Sequence, residues 1–287
     1  MTKLRLTVPS PLVELGEPGR GVRVLLKRDD LIHPELPGNK WRKLKHNLRA
    51  AADAGATRLL TFGGAYSNHL LATAAAGHHF GFETVGVVRG EEHRPLNDVL
   101  RAAAGHGMRL TYLDRTAYRA KTGPAVLAAL RREWGEFFLI PEGGANAAGV
   151  RGCAELVAEL DRPFDVVTCA VGTGATLAGI AAALGPGQRA IGFSALKGGD
   201  FLRADVARFQ RETFGRELGE WTVDTGHHFG GFARRTSELD GFVDEFERRH
   251  GVRLDWVYEA KMMFGLWDRI RGGEFPEGTT IVAVIAG

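Results

Sequence analysis

The stretch DVVTCAVGTGATLAG, residues 165–179, carries the pattern that decides the fold. Its first seven residues form a mostly apolar run, which is typical of a strand that is buried on both faces of a parallel sheet. Glycines follow at positions 172 and 174, and the sequence then becomes helical in character. A buried strand that turns through glycines into a helix is the repeating unit of α/β folds.

The same alternation of short apolar runs and alanine-rich stretches extends over the whole chain. It predicts an α/β fold with parallel sheets and helices on both faces. Nine strands are many for one sheet, so the pattern favours two lobes. The predicted strands are 22–28, 57–62, 83–88, 108–113, 137–140, 165–171, 189–196, 253–259 and 279–286. The predicted helices begin near Asn39, Ser67, Pro95, Ala147, Gly174 and Met262.

The composition bounds the class of protein and its partners. A chain of 287 residues with 44% apolar and 25% charged residues is ordinary for a globular protein, and its net charge is only +3. No long basic run predicts a nucleic-acid partner, and no 18-residue apolar run or signal-peptide core predicts a membrane partner or export. Two cysteines give no disulfide framework, which favours a cytoplasmic setting.

No metal site is predicted from the sequence. The histidine pairs 78–79 and 227–228 are the natural candidates. Adjacent histidines point to different faces of an element, and no carboxylate is suitably spaced along the chain beside either pair.

Three predicted loops that follow strands are rich in glycine: residues 62–68, 141–146 and 171–179. In open α/β sheets, ligands bind beyond the C-terminal ends of the strands, where such loops lie. One such loop would be explained by a simple turn. Three in one chain predict a ligand site.

The loop at 171–179 suits a phosphate at a helix N-terminus, where backbone N–H groups face the anion. It is not a P-loop, because Ala175, Thr176 and Leu177 stand where that motif has Gly-Lys-Ser/Thr. It is not a dinucleotide fingerprint either, because Leu177 replaces the third small residue and no acidic residue follows about 20 positions later. The loop therefore predicts the phosphate of a smaller cofactor.

Four cations, Lys40, Arg42, Lys43 and Lys45, lie within six residues at the start of a predicted helix. Cations are unfavourable at this end of a helix. They suit a lysine that forms a Schiff base with pyridoxal phosphate (PLP), because neighbouring positive charge lowers the pKa of its amine. The alternative is a solvated basic helix face, which is the interpretation favoured for Lys45 with Arg49.

Five motifs together make a resemblance specific. The chain resembles the 1-aminocyclopropane-1-carboxylate (ACC) deaminase and D-cysteine desulfhydrase family of fold-type II PLP enzymes, and the motifs follow the family's order over nearly the whole chain. They are KRDDLIHPELPGNKWRKLKHNL (27–48), GGAYSNH (63–69), PEGGANAAGVRG (141–152), VGTGATLAG (171–179) and DWVYEAKMMFGL (255–266).

The resemblance implies a two-lobed, parallel-sheet fold like that of the tryptophan synthase β subunit. A smaller lobe, residues 45–151, would be inserted into a larger PLP-binding lobe made of residues 1–44 and 152–287. The cofactor would lie in the cleft between the lobes, and a homodimer is the family-level expectation.

The resemblance also implies roles for single residues. Lys40 matches the Schiff-base lysine and Lys43 the second lysine near the active site. Ser67 would contact the substrate carboxylate or transfer a proton, and Asn68 would hydrogen-bond the 3′-oxygen of the cofactor.

The remaining implied roles concern the ends of the cofactor and the leaving group. Tyr258 matches a catalytic tyrosine over the substrate, and Glu259 the residue that faces the pyridine nitrogen. The residues that match the phosphate cup are Thr173, Gly174, Ala175 and Thr176.

The reaction implied is a PLP-dependent lyase or deaminase reaction on a small amino acid. It would be either α,β-elimination to a 2-oxo acid and ammonia, as in D-cysteine desulfhydrase, or ACC deamination. The family's second active-site tyrosine has no clear counterpart upstream of Tyr258, where residues 224–235 offer His227, His228, Phe229 and Phe232. Alternatives are β-replacement, racemisation, or non-catalytic binding of PLP or another phosphate ligand.

Overall fold

The computed structural model describes residues 4–36 and 38–287. Strands and helices alternate through most of this range. The strands are β1 (Leu12–Gly19), β2 (Val22–Arg28), β3 (Arg58–Gly63), β4 (Glu83–Arg89), β5 (Arg109–Leu113), β6 (Phe138–Ile140), β7 (Val166–Val171), β8 (Arg189–Ser194), β9 (Glu220–Asp224) and β10 (Thr280–Ile285). The α-helices are α1 (Asn39–Asp53), α2 (Asn68–Phe80), α3 (Asp98–Gly105), α4 (Arg115–Arg119), α5 (Pro124–Trp134), α6 (Ala147–Ala158), α7 (Ala175–Ala182), α8 (Phe201–Phe214), α9 (Ser237–His250) and α10 (Glu259–Arg271).

The strands form two sheets, which confirms the predicted α/β fold. The six-stranded sheet has the order β1-β2-β10-β7-β8-β9, and the four-stranded sheet has the order β5-β4-β3-β6. All neighbouring strands are parallel except β1 and β2. The larger sheet is built from both ends of the chain and the smaller one from its middle. The lobe boundaries at residues 45 and 151 stay a prediction, and both positions fall inside helices.

The larger sheet is apolar on both faces, which explains the continuous apolar runs of its central strands. In β10, Ile281 and Ala283 pack into one core cluster, whereas Val282 packs into the cluster on the opposite face. Alternate residues of a strand point to opposite faces, so both faces must be covered by helices. No helix within the described residues is both long and apolar enough to cross a membrane.

The predicted strand at 253–259 is wrong. The Asp255 side chain accepts hydrogen bonds from the backbone N–H of Val257 at 3.1 Å and of Tyr258 at 2.8 Å. These bonds turn the chain into α10, which begins at Glu259 rather than near Met262. An aspartate that binds backbone groups two and three positions ahead favours a turn over an extended strand.

Strands β1 and β9 were not predicted. Both lie at the edges of the larger sheet, where one side of the strand has no neighbouring strand in the described part of the chain. Edge strands need fewer apolar residues, and β1 contains glycines and a proline that mask its pattern.

The three glycine-rich loops all follow the C-terminal ends of parallel strands, as predicted. They lead from β3 to α2, from β6 to α6, and from β7 to α7. The turn before α1 lies against the end of β10, because a Cβ on Gly38 would come within 1.6 Å of the carbonyl oxygen of Ala286. Gly38 also has a φ of 56°, so only glycine suits this position, which sets the start of α1.

Candidate active site

Lys40 lies in the first turn of α1, beside the loop that precedes α7. Its Nζ donates a hydrogen bond to Oδ1 of Asn39 at 2.8 Å. The Asn39 amide in turn donates to Oγ1 of Thr176 at 3.4 Å. This chain of bonds links the lysine amine to the N-terminal turn of α7, although 136 residues separate Lys40 from Thr176.

The Lys40 amine is unusually easy to deprotonate. Burial is the main cause, and the positive charge of Lys43 adds to it, so that the pKa of Lys40 falls to about 8. The carboxylates of Asp255 and Glu259 act in the opposite direction but do not cancel the effect. A substantial fraction of the amine is therefore neutral, and nucleophilic, just above neutral pH.

Arg42 does not contribute to this effect as the crowding of cations suggested. Its guanidinium forms two hydrogen bonds with Asp29, at 2.6 and 2.7 Å, and two with Glu159, at 2.8 and 2.9 Å. Glu159 also pairs with Lys27 at 2.8 Å. Arg42 is thus the centre of a buried ion-pair network that compensates its charge.

Lys45 is also paired, so its interpretation as part of a solvated face is wrong. Its ammonium forms a salt bridge with Glu155 of α6. Arg49, by contrast, is exposed and fits that interpretation. Helix α1 therefore packs two of its four clustered cations against acidic groups from distant parts of the chain.

Lys43 is the one of the four whose charged group has neither a hydrogen-bond nor a salt-bridge partner among residues 4–36 and 38–287. Its side chain is buried, and no hydrogen bond or salt bridge of its ammonium is found in that range. Burial lowers its pKa. Gly144, whose φ is 66°, lies against it, since a Cβ there would come within 3.0 Å of the Lys43 Cβ. A buried ammonium without a partner would be stabilised by an anionic group bound beside it.

The loop between β7 and α7 presents polar groups that have no hydrogen-bond partner among the described residues. The Thr173 hydroxyl is buried and makes no hydrogen bond within the described part of the chain. Gly174, with a φ of 89°, is the N-cap of α7. The first N–H groups of the helix, from Ala175 and Thr176 onward, have no intrahelical acceptor. Loop 171–174 also contacts loop 141–146, because a Cβ on Gly143 would lie 3.3 Å from Cγ2 of Thr173.

Ser67 and Asn68 begin α2. Ser67 is its N-cap, and its hydroxyl accepts a hydrogen bond from the Leu70 N–H at 3.4 Å. The partly buried Asn68 side chain forms no hydrogen bond that the described residues reveal. No hydrogen bond in that part of the chain joins either residue to Lys40, so the roles predicted for both stay predictions.

His69, the next residue, is a buried group that sequence reasoning left without a role. A ring nitrogen of His69 lies 2.8 Å from Oγ1 of Thr61. Burial, followed by the charges of Lys40 and Lys43, lowers its pKa to about 3. It is therefore neutral at physiological pH. The available signal was its place in the motif GGAYSNH, directly after the two residues that were assigned.

Tyr258 and Glu259 lie at the start of α10, and burial raises the pKa of both side chains. Burial, with the nearby carboxylates of Asp255 and Glu142, raises the pKa of Tyr258 to about 12. Its ring faces Gly172, where a Cβ would come within 3.1 Å. Tyr258 therefore lies over the loop that leads to α7.

Glu259 is 2% exposed and accepts hydrogen bonds from the backbone N–H of Asp255, Ala286 and Gly287. Burial raises its pKa to about 7 despite these bonds. The carboxylate fixes the end of β10 beside α10, and at neutral pH it is only partly ionised. A cation placed beside it would favour the ionised form.

One residue of segment 224–235 reaches Tyr258. The Phe232 ring lies 5.8 Å from the Tyr258 ring in an edge-to-face arrangement. His227 instead binds Asp224 at 3.0 Å, and Phe229 packs on Phe264 at 4.8 Å between centroids. The aromatic neighbour of Tyr258 in this segment therefore carries no hydroxyl group.

Comparison with known proteins identifies the family. The family model described as "Pyridoxal-phosphate dependent enzyme" matches residues 4–287. The chain belongs to this family. The 1-aminocyclopropane-1-carboxylate deaminase of Ralstonia nicotianae is 31% identical over 295 residues, which cover 92% of this chain and 86% of the relative. The mitochondrial bifunctional D-cysteine desulfhydrase/1-aminocyclopropane-1-carboxylate deaminase of Arabidopsis thaliana is 30% identical over 289 residues, covering 92% and 72%.

A solved structure agrees with this assignment. The crystal structure of an ACC deaminase homologue superposes with a TM-score of 0.86 at 28% identity, covering 99% of this chain and 90% of the other. The predicted family, fold class and cofactor are therefore confirmed: the protein is a fold-type II enzyme of the PLP-dependent family.

The groups in the site fit this cofactor. A phosphate needs donors, which the orphan Thr173 hydroxyl, the N-terminus of α7 and the buried Lys43 ammonium offer. An aldehyde needs a neutral amine, which Lys40 supplies. A pyridine ring nitrogen gains a proton beside a carboxylate, which Glu259 supplies.

Proposed function

We propose that this protein is a PLP-dependent lyase that eliminates the β-substituent of a small amino acid, with D-cysteine as the model substrate. The products would be a 2-oxo acid, ammonia and, from cysteine, hydrogen sulfide. The observation that carries the proposal is the Lys40 amine. Its side chain is partly buried, its pKa is about 8, and it is bonded through Asn39 to the start of α7.

The chemistry divides between the cofactor and two side chains. Bound PLP acts as an electron sink for negative charge that develops at the substrate Cα. Lys40 would hold the cofactor covalently through its Nζ, and the same nitrogen in its neutral form would remove the Cα proton of the substrate. Tyr258 keeps its proton at neutral pH because its pKa is about 12, so a neutral hydroxyl would be available to stabilise the negative charge that develops on the departing sulfur.

The binding roles follow the unpartnered groups. The N-terminal turn of α7, with its phosphate-cup residues, would hold the phosphate, and Lys43 would add positive charge near it. Those residues are Thr173, Gly174, Ala175 and Thr176. Glu259 would face the pyridine nitrogen. The free amide of Asn68 would bind the 3′-oxygen, and Ser67 would contact the substrate carboxylate or carry a proton.

The proposal includes the larger-scale arrangement that the sequence predicted. The cofactor would lie between a smaller lobe, residues 45–151, and a larger lobe, residues 1–44 and 152–287. The small amino acid would enter this cleft, and two copies of the chain would form a homodimer.

The side chain of Phe232 supports elimination rather than ACC deamination as the proposed reaction. Opening a cyclopropane ring requires a further acid, base or nucleophile close to the substrate. Phe232 lies beside Tyr258 where a second tyrosine was sought, and its ring has neither a proton to donate nor a lone pair to attack with. Elimination of a thiolate needs only the base Lys40 and one acid.

A substrate screen tests this choice. The holoenzyme is incubated with D-cysteine, L-cysteine and ACC, and the release of sulfide, 2-oxo acid and ammonia is measured. We expect sulfide and 2-oxo acid in equal amounts from one cysteine enantiomer. Faster 2-oxo acid formation from ACC than from either cysteine would contradict the proposal. Loss of optical rotation without release of ammonia would indicate racemisation. A product in which an added nucleophile has replaced the β-substituent would indicate β-replacement. If no amino acid changes the absorption spectrum of the bound cofactor, the protein is a non-catalytic binding protein.

Replacing Tyr258 with phenylalanine should slow elimination of thiolate from cysteine by about 10²–10⁴-fold, the usual contribution of a general acid. Chloride leaves without protonation, so the Tyr258→Phe variant should eliminate chloride from β-chloroalanine nearly as fast as the unaltered protein. The two rates are compared by 2-oxo acid release. Tyr66→Phe, in an exposed tyrosine, is the matched control. Equal losses for both substrates would show that the hydroxyl does not protonate the leaving group.

The rate at which the apoprotein takes up PLP should follow the pKa of Lys40. A lowered pKa means that the reactive neutral amine dominates above about pH 8. The covalent phase should therefore rise about tenfold per pH unit below 8 and level off above it, whereas an ordinary lysine would keep rising to about pH 10.4. Stopped-flow absorbance measures this phase. A rate that still rises tenfold between pH 9 and 10 would contradict the assigned environment.

A further inference from the structure

Four histidines and one glutamate from three separate chain segments converge on one surface. We call them the histidine cluster. His33 and Glu35 lie between β2 and α1, and the others lie at the C-terminal ends of α2 and α3. The members of the cluster are His33, Glu35, His78, His79 and His106.

Three members of the histidine cluster lie close enough together to bind one ion. One ligand atom from each of His33, Glu35 and His79 lies within 4.8 Å of the other two. Glu35 Oε2 is 2.7 Å from Nε2 of His79. The other carboxylate oxygen of Glu35 is 3.4 Å from Nε2 of His106. Glu35 thus connects both helix ends.

The histidine rings pack around this glutamate. The centroids of His33 and His79 are 5.6 Å apart, and the exposed His78 lies 5.5 Å from His79 and 5.7 Å from His106. His33, Glu35, His79 and His106 are only partly buried, so an ion can reach them from solvent. The C-terminal end of α2 also carries partial negative charge, which favours a cation there.

We propose that His33, Glu35 and His79 bind a divalent transition-metal ion, with Zn²⁺ as the reference ion and His106 or water as the fourth ligand. Two imidazoles and one carboxylate with an open fourth position form a known tetrahedral Zn²⁺ donor set. The sequence predicted no metal here because no carboxylate is suitably spaced near His78 and His79. Glu35, which is 44 residues from His79, supplies it through the fold.

The position of the site gives the ion a structural role. It ties the segment that leads to Lys40 to the C-terminal end of α2, whose N-terminal end carries Ser67. The 13 residues of α2 place the metal roughly 18 Å along the helix axis from that serine, at 1.5 Å per residue. The ion would therefore lie far from Ser67, and the proposal does not depend on the proposed function.

Calorimetric titration of ZnCl₂ into tag-free, chelator-treated holoprotein tests the site. We expect one saturable equivalent per chain. Glu35→Gln, which keeps the shape of the side chain, and His79→Ala should each weaken binding by more than about tenfold. His93→Ala, in an exposed histidine outside the cluster, should bind like the unaltered protein. No saturable binding, or unchanged affinity in both cluster variants, would overturn the proposal.

A second measurement separates metal loss from misfolding. Thermal unfolding is followed with and without Zn²⁺, since an ion that binds the folded state raises Tm. The rise should saturate at one equivalent and vanish in Glu35→Gln, while the metal-free variant keeps its circular-dichroism spectrum. An equal rise in Glu35→Gln and in the unaltered protein would show that the stabilising ion binds elsewhere.

Discussion

Replacing Lys40 with alanine should lower kcat for elimination by at least about 10²–10⁴-fold, the contribution of a positioned general base. The same substitution removes the amine that holds the cofactor covalently, so the absorbance of that linkage should also be lost. Among the clustered cations, Lys40 combines a pKa of about 8 with a bond chain to α7. The measurement is steady-state 2-oxo acid release together with the absorption spectrum.

Lys45→Ala is the matched control, because Lys45 lies on the same helix and pairs with Glu155 of α6. We expect it to keep the spectrum of the bound cofactor and most of the activity. A Lys40→Ala protein that is folded, binds PLP and eliminates at more than about one tenth of the original rate would contradict the assignment of Lys40 as the base.

Replacing Arg42 with methionine should lower the free energy of unfolding by about 3–5 kcal/mol, which is typical when one partner of a buried ion pair is removed. Arg42 is 1% exposed and holds both Asp29 and Glu159 through paired hydrogen bonds. Methionine fills much of the space but leaves Asp29, which is fully buried, without its main charge partner. Urea unfolding of the PLP-saturated proteins measures the difference.

Arg49→Met on the exposed face of α1 is the control and should change the unfolding free energy by no more than about 0.5 kcal/mol.

The dependence of the unfolding free energy on pH in the acid range gives a second test. Hydrogen bonds to Arg42 and Lys27 outweigh burial and lower the pKa of Glu159 from 4.5 to about 2. Its ionised form stabilises the fold above about pH 4.5, and this contribution is lost as the pH falls toward 2.

The difference in free energy of unfolding between the unaltered protein and Arg42→Met should therefore become smaller as the pH falls from about 4.5 to about 2. A difference in unfolding free energy below about 1 kcal/mol at neutral pH would contradict the ion-pair network around Arg42. A difference that stays constant as the pH falls would contradict it as well.

The alternation of strands and helices was predictable because each element depends on a pattern within a short stretch of the sequence. Buried parallel strands such as β7 and β10 are short apolar runs, and the glycine-rich loops mark their ends. The prediction failed where a side chain redirects the backbone, as Asp255 does before α10, and at the edge strands β1 and β9, whose burial is incomplete.

The candidate site was predictable to the extent that its motifs are contiguous. Lys40, Tyr258 and the turn before α7 stand in recognisable stretches. Their electrostatic surroundings were not predictable, because the partners are remote: Arg42 is 117 residues from Glu159. The crowding of cations predicts the lowered pKa of Lys40, but burial is its main cause and, of the clustered cations, only Lys43 contributes.

Borohydride reduction of the holoenzyme, followed by peptide mass mapping, tests the central claim most directly. Reduction fixes the cofactor on the lysine that holds it, and tryptic cleavage after Arg42 places Lys40 and Lys43 in different peptides. We predict a single phosphopyridoxyl adduct on Lys40, with loss of the visible absorbance. An adduct on Lys43 or another lysine, or a colourless protein that takes up no PLP, would contradict the assignment.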